Sequence, residues 1–350
     1  MIAKPLLIAA VLLVFPVTLL AASEFTSLGF LPGDANSRAN SVSADGSVVV
    51  GNSDTDGAAQ ATRWTKSGGM TGLGFLPGAT TSSATAVSAD GSVVVGASSG
   101  HNVEQAFRWT QPGGMVALGF LTGATHSAAK AVSADGSVVV GFSSGAAIQA
   151  FRWTQSGGMT GLGNLPGYPN CHANGVSADG SVVVGQCFGN NGTEAFRWTK
   201  RGGMTGLGFL PGGWISVASG VSADGSVVVG FGDSSDGQQQ AFRWTQSGGM
   251  TGLFFPGDTF SRAHGVSADG AVVVGFITAG NNNRQAFRWT QATSMQSADD
   301  WFAGAGAILP EGWERLEATA TNRDGSVMVG NGISAAAGHR TGFQIKIHPK

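Results

Sequence analysis

Val42-Ser43-Ala44-Asp45-Gly46-Ser47-Val48-Val49-Val50-Gly51 decides the fold, because the chain spells this phrase repeatedly. The same ten residues begin at Val87, Val132, Val176 and Val221, and at Val266 with Ala271 replacing the second serine. A degraded seventh copy runs from Arg323 to Gly330. The central aspartates are Asp45, Asp90, Asp135, Asp179, Asp224, Asp269 and Asp324, spaced by 45, 45, 44, 45, 45 and 55 residues. Further along each of the first six units comes Arg-Trp-Thr, with Trp64, Trp109, Trp153, Trp198, Trp244 and Trp289. Gly-Gly-Met or a relative follows, then Leu-Gly-Phe-Leu-Pro-Gly or a relative.

One unit reads as four short strands. Strand A of the first unit is Ala39 to Ser43, and Asp-Gly supplies a hairpin turn in which glycine accepts positive φ. Strand B, Ser47 to Gly51, is apolar on both faces, as suits a strand sandwiched between neighbours. Strand C is Gln60 to Thr65; strand D is Met70 to Leu76, ended by Pro77-Gly78. Four strands in about 45 residues form one propeller blade, and such a sheet buries its faces only by stacking. The chain also carries an unpartnered strand D, Phe25 to Leu31, and an unpartnered strand C, Gly342 to Ile347. Joining them would complete a blade and remove exposed edges. The expected fold is therefore all-β: a seven-bladed β-propeller of four-stranded blades, closed by the N-terminal strand D joining C-terminal strands A to C.

Composition agrees with export. Lys4 precedes an apolar run from Pro5 to Leu20, and Ala21-Ala22-Ser23 offers small residues for cleavage, so residues 1–23 read as a signal peptide. A single propeller domain over 24–350 is expected, soluble once the leader is removed, with no second hydrophobic span. Charged residues make up only 11%, against about 25% in typical domains. The net charge of −2, with basic residues spread along the chain, sets nucleic acid aside.

The repeated Ala-Phe-Arg-Trp-Thr, Gly-Gly-Met and Leu-Gly-Phe-Leu-Pro-Gly resemble the HAF-repeat extracellular proteins of bacteria over nearly the whole mature chain. Gln stands in place of the family's histidine ahead of Phe107-Arg108-Trp109, and Glu194 in another copy. The stretch Ala298 to Gly312, with Trp301 and Pro310, is similar to that family's irregular last repeat. The resemblance implies export to the extracellular space, cell surface or periplasm and a propeller-like fold; it implies no particular activity.

Cys171 and Cys187 lie eight residues before and eight after Asp179, where other copies hold the pairs Ser37 and Ser53, Ser82 and Ser98, and Ser127 and Ser143. If the turn is symmetric about Asp179 they face each other, and in an exported protein that reads as a disulfide. A one-residue bulge is the way to lose that register. Arg63, Arg108, Arg152, Arg197, Arg243 and Arg288 recur beside the tryptophans and are expected to pair with turn aspartates. Gln344 takes the arginine's place in the last copy and would leave Asp324 without such a partner. Asn52, Asp54 and Asp56 resemble the start of a calcium loop, but Arg63 falls where an EF-hand needs its bidentate glutamate. A polar turn is the plainer reading, so no cofactor is expected and calcium stands as the alternative.

Catalytic patterns are weak. Seven of the fifteen aspartates are turn residues, Glu311, Glu314 and Glu317 crowd one segment, and Tyr168 is the only tyrosine. No glycosidase pair, metal set or triad emerges. The D–A and B–C loops vary between copies and carry His126, Tyr168, Trp214, Phe260, Arg262 and His264, with Asn190, Asn191, Gln238, Asn281 and Asn282. Variable loops on a rigid scaffold are where recognition sits. The expectation is an exported, non-enzymatic binding or scaffolding propeller for a protein or glycan, the ligand-binding candidates being Tyr168, Trp214, Phe260, His126 and His264. The alternatives are a carbohydrate-active enzyme with its site on the same face, and a purely structural surface protein.

Overall fold

The computed structural model describes residues 23–55, 57–101, 103–235, 237–254, 260–278, 283–336 and 338–347. The signal-peptide reading (1–22), Asp56 and Asn281–Asn282 fall outside them. The described residues form seven four-stranded antiparallel sheets arranged as the blades of a propeller. Blade 1 runs from its inner edge outward through Asn36–Val42, Val48–Asp54, Gln60–Thr65 and Gly69–Gly72. Blade 7 takes Trp313–Thr321, Val327–Ser334 and His339–Lys346 from late in the chain. Its outermost strand is Glu24–Ser27, with Glu24 opposite Lys346 and Ser27 opposite Phe343.

The inner strands are longer than the repeat phrase suggests and the outer ones shorter. Strand D stops at Gly72, not Leu76, and the first strand at Ser27, not Leu31. The glycine of Leu-Gly-Phe takes φ +79 at Gly74 and +72 at Gly29, which turns the chain out of the extended conformation just past the strand ends. The irregular segment contains a short helix, Ala298–Gly304, capped by the Ser297 hydroxyl accepting from the Asp300 amide.

Each A–B turn closes on itself. Asp45 Oδ1 accepts from the Ser43 hydroxyl (2.6 Å) and from both the amide and hydroxyl of Ser47. The Ser43 hydroxyl in turn accepts from the Val48 amide, and the same motif recurs at Asp90, Asp135 and Asp224. The turn aspartates are therefore satisfied locally rather than by the arginines. Arg63, Arg108, Arg152 and Arg197 instead donate from Nε to the carbonyl of the turn glycine in the next blade (Gly91, Gly136, Gly180 and Gly225). Gln344 makes the same bond to Gly46 at 2.8 Å, and Asp324 accepts from Ser326 like its counterparts. The substitution keeps the donor and loses only the charge.

Successive turns are also joined through the backbone. The amide of Ala44 donates to Ala89, Ala89 to Ala134, Ala134 to Ala178, Ala178 to Ala223, Ala223 to Ala268, Ala268 to Arg323, and Arg323 back to Ala44. Seven bonds of 2.9–3.2 Å thus make a closed ring. The Val-Val-Val run serves two interfaces at once: Val48 and Val50 pack toward blade 2 with Phe107, whereas Val49 packs toward blade 7 with Val327 and Val329. Each of the seven apolar clusters spans one blade–blade boundary.

The cysteines are disulfide-bonded, with Cys171 directly opposite Cys187 and their Cα atoms 4.0 Å apart. The turn is not symmetric about Asp179, because Val176 pairs with Val183. A bulge between Ala173 and Gly175 then shifts the register by one, and so brings the cysteines into line instead of out of it. The same bulge sets Ser37 against Ser53 and Ser82 against Ser98. Those serines join elements: Ser82 accepts from the Ala61 amide of blade 1, and Ser98 from the Leu76 amide.

A methyl group at Gly91 would lie 2.5 Å from Val48 Cγ2, whereas one at Gly69 would meet nothing within 4 Å; both residues have positive φ. Urea unfolding should therefore give about 1–2 kcal/mol lost for Gly69→Ala, and a further ~1–3 kcal/mol for Gly91→Ala from the clash between blades. Equal losses would show that the turn–valine contact is slack.

The disulfide closes a 16-residue separation, so C171A/C187A should lower stability by about 3 kcal/mol. C171S/C187S should recover part of that loss by restoring the serine acceptors of the other blades. Reductant should shift the urea midpoint of the parent protein and of neither variant.

Candidate functional site

The face opposite the Asp-Gly turns is built from paired loops. The loop entering each inner strand leans on the B–C loop of its own blade: Ala35 donates to Asp54, Thr80 to Ser99, and Thr125 to Ser144. The structure distributes the sequence candidates unevenly over this face. His126 opens the inner strand of blade 3, its Nδ1 2.9 Å from the Thr125 hydroxyl. It shares a cleft of about 520 Å³ with His101 and Glu104 of blade 2. Tyr168 packs against the apolar cluster between blades 3 and 4, close to Glu194, whose carboxylate accepts from the Gly208 amide. Burial first, and Glu194 second, raise its pKa. Trp214 is 72% exposed, while its amide and that of Ile215 are pinned by Asp233 Oδ1.

Phe260 begins the inner strand of blade 6 and stacks on Phe276 at 5.8 Å between centroids. His264 does not belong with the loop residues. It is the bulged residue of that strand, half-buried, with Nδ1 3.1 Å from the Ala318 carbonyl of blade 7. Asn40, Thr85, Asn174 and Thr319 make the equivalent bond to the next blade from the same bulge position, so the histidine follows a scaffold pattern.

Asn52 and Asp54 of the calcium candidates are engaged by neighbours in blades 1 and 2. Asn52 is buried in strand B, its carboxamide donating to Asp54 and accepting from Ser83. Asn36 donates to the other Asp54 oxygen. Among the described residues, no group of three or more His, Cys, Asp or Glu is placed to hold a metal.

The constellation that sequence reading missed lies where blades 5, 6 and 7 meet the loop face. A cleft of about 550 Å³ is lined by Gln238, Phe260, Thr278, Arg284, Arg315 and Arg340, with one carboxylate, Glu317. Glu317 is ion-paired to Arg284. Arg262 is wedged beside it, 4.2 Å from the Phe231 ring and 4.9 Å from Phe260, with both Nε and Nη2 donating to Gln239 Oε1. Burial, then Arg284, lower the pKa of Arg262. A signal was present: Arg284 and Arg340 occupy the same place in adjacent units, where other copies have Ala59, Glu104, Ile148, Thr193 and Gln239. It is visible only when the units are aligned column by column, and the repeated Arg-Trp arginines obscure it.

No family model and no curated protein matches the chain. Solved structures do. An oligogalacturonate lyase from Vibrio parahaemolyticus is similar with a TM-score of 0.62, at 11% identity, over 93% of this chain and 97% of that one. A prolyl endopeptidase gives 0.57 at 11% identity, over 94% of this chain and 51% of that one. TolB from Acinetobacter baumannii gives 0.53 at 13% identity over 72% of this chain; the match spans 63% of TolB, less than two thirds of its length. At such identities the likeness is one of fold. No helix among the described residues is long and apolar enough to cross a membrane.

Two acid-sensitive groups differ in the pH at which they act. His172, stacked on Phe142 at 4.3 Å, has its pKa lowered to about 4 by burial and then by Lys130. Its unfolded value is about 6.5, so the unfolded chain binds more protons between those values. Stability from His172 is present above pH 6.5 and lost as pH falls toward 4. The turn aspartates are depressed, Asp135 and Asp224 to about 2, by their serine hydroxyl and amide bonds. Their contribution is present above pH ~4 and lost toward 2. Thermal midpoints should fall in both windows, and His172→Phe should flatten the upper window alone.

Proposed function

We propose that this chain is an exported propeller that binds a glycan or protein outside the cytoplasm through its loop face, without turning the ligand over. The observation that carries the reading is the division between the two faces. One is a repeated rim in which turn aspartates, arginines and backbone are bonded to one another. The other gathers nearly all the variation between units, together with the exposed Trp214 and clefts of about 520 and 550 Å³. Three loop-face carboxylates are already engaged, Glu317 by Arg284, Glu194 by the Gly208 amide and Asp54 by Asn36, which suits a binding surface better than an acid–base pair.

Export is supported by the Cys171–Cys187 disulfide, since such bonds persist in oxidising compartments. The apolar run from Pro5 to Leu20 and the likeness of the repeats to HAF-repeat extracellular proteins point the same way.

The full chain, expressed in a bacterial host and recovered outside the cytoplasm, should begin at Ser23 or Glu24 on N-terminal sequencing. The purified protein should give a reproducible hit on a glycan array, or capture a discrete envelope protein, with Trp214→Ala weakening it. Cytoplasmic retention, or turnover of a bound saccharide into shorter products, would overturn the respective half of the reading.

A further inference from the structure

The cleft at blades 6 and 7 is charged unlike the rest of the loop face. Arg284, Arg315 and Arg340 line it, Arg262 stands beside it, and Glu317 is the one carboxylate among its lining residues. Because Glu317 is taken by Arg284, the guanidiniums of Arg315 and Arg340 meet no acceptor among the described residues. Glu311, Glu314 and Asp299 line an adjoining cleft that shares Arg284 and Arg315 with it, whereas Arg340 lines the first cleft alone.

Arg315 carries a second sign of construction. Its backbone sits at φ +52, one of three non-glycine residues with positive φ among those described. It lies where the inner strand of blade 7 slips register between Glu314 and Glu317. That conformation is strained for a residue with a side chain, and strain of this kind collects at functional sites. The slip carries Arg315 to the cleft that Arg284 and Arg340 reach from the same place in two neighbouring units. A planar guanidinium fork fits a carboxylate in bidentate fashion. Phe260, Thr278 and Gln238 complete the lining, a mixed aromatic and uncharged surround that suits a sugar ring better than a bare anion.

We propose that this cleft binds an acidic oligosaccharide, with sugar carboxylates seated on Arg315 and Arg340. The inference rests on the loop-face binding reading and names its ligand class. Calorimetry with a uronic-acid oligosaccharide, its carboxyl-reduced neutral counterpart and poly-glutamate tests it on the full mature chain. The acidic sugar should bind, weakening as salt rises, and the neutral counterpart should not. Arg315→Gln and Arg340→Gln should each weaken binding about 10-fold, with an unchanged thermal midpoint. Equal binding of the acidic and reduced sugars overturns the proposal, as does binding of poly-glutamate alone. Neutral glycans that bind through Trp214 while acidic ones do not would sink this inference and leave the loop-face reading intact.

Discussion

The seven backbone bonds that run from each A–B turn to the next, and from Arg323 back to Ala44, set the geometry that everything else obeys. A closed ring of this kind tolerates little variation among its members, since an error at one turn must be absorbed by the other six. Each turn is accordingly locked from several directions. Its aspartate is held by local serines, in five of the seven its glycine carbonyl receives an arginine or glutamine from the preceding blade, and a side chain at its glycine would meet a valine of that blade. A side chain at the glycine would push the two blades apart. The Asp-Gly-Ser-Val phrase is therefore the description of a joint between blades, written once per joint.

That rigidity explains where the chain has been free to change. The rim ties four of the arginines and the turn aspartates into its own repeated bonds. On the opposite face the loops touch mainly their own blade, so a change there disturbs one unit. Blades 6 and 7 depart furthest: they carry Arg284 and Arg340 at matched places, an extra slip of register around Arg315 beyond the bulge that every blade has, and the helix Ala298–Gly304. The long spacing between Asp269 and Asp324 is accounted for by that insertion.

The repeated phrase made the seven blades and the antiparallel four-strand plan legible, because a valine run apolar on both faces has few homes other than between stacked sheets. Strand ends were less legible. Gly74 and Gly29 cut the outer strand short through their backbone conformation, which the letters alone do not display. The cysteine pairing was read correctly from an imperfect premise, since the bulge at Asn174 restores the register that the asymmetric turn takes away. Arginine partners were misassigned because charge invites pairing with aspartate, whereas the short turn serines reach the aspartates first. His264 looked like a loop residue by its neighbours Phe260 and Arg262, yet the bulge turns it onto the scaffold. The arginine cleft depends on three units meeting in space, and no single unit contains it.

The contact between blades 7 and 1 differs from the other six in one respect that is kinetic rather than chemical. Thr319 bonds Ala39 across 280 residues of chain, whereas Thr85 makes the same bond to Ala129 across 44. Loop-closure entropy grows by about 0.6 kcal/mol per doubling of length, so the last joint is only ~1.6 kcal/mol harder to close than its siblings. What separates it is order of synthesis: six joints can form as the nascent chain emerges, but the seventh must wait for the far end. Until then two blade faces stand open at once, and the chain resembles an unfinished solenoid with sticky ends. The growing protein is thus most prone to pair with a neighbour just before it is complete.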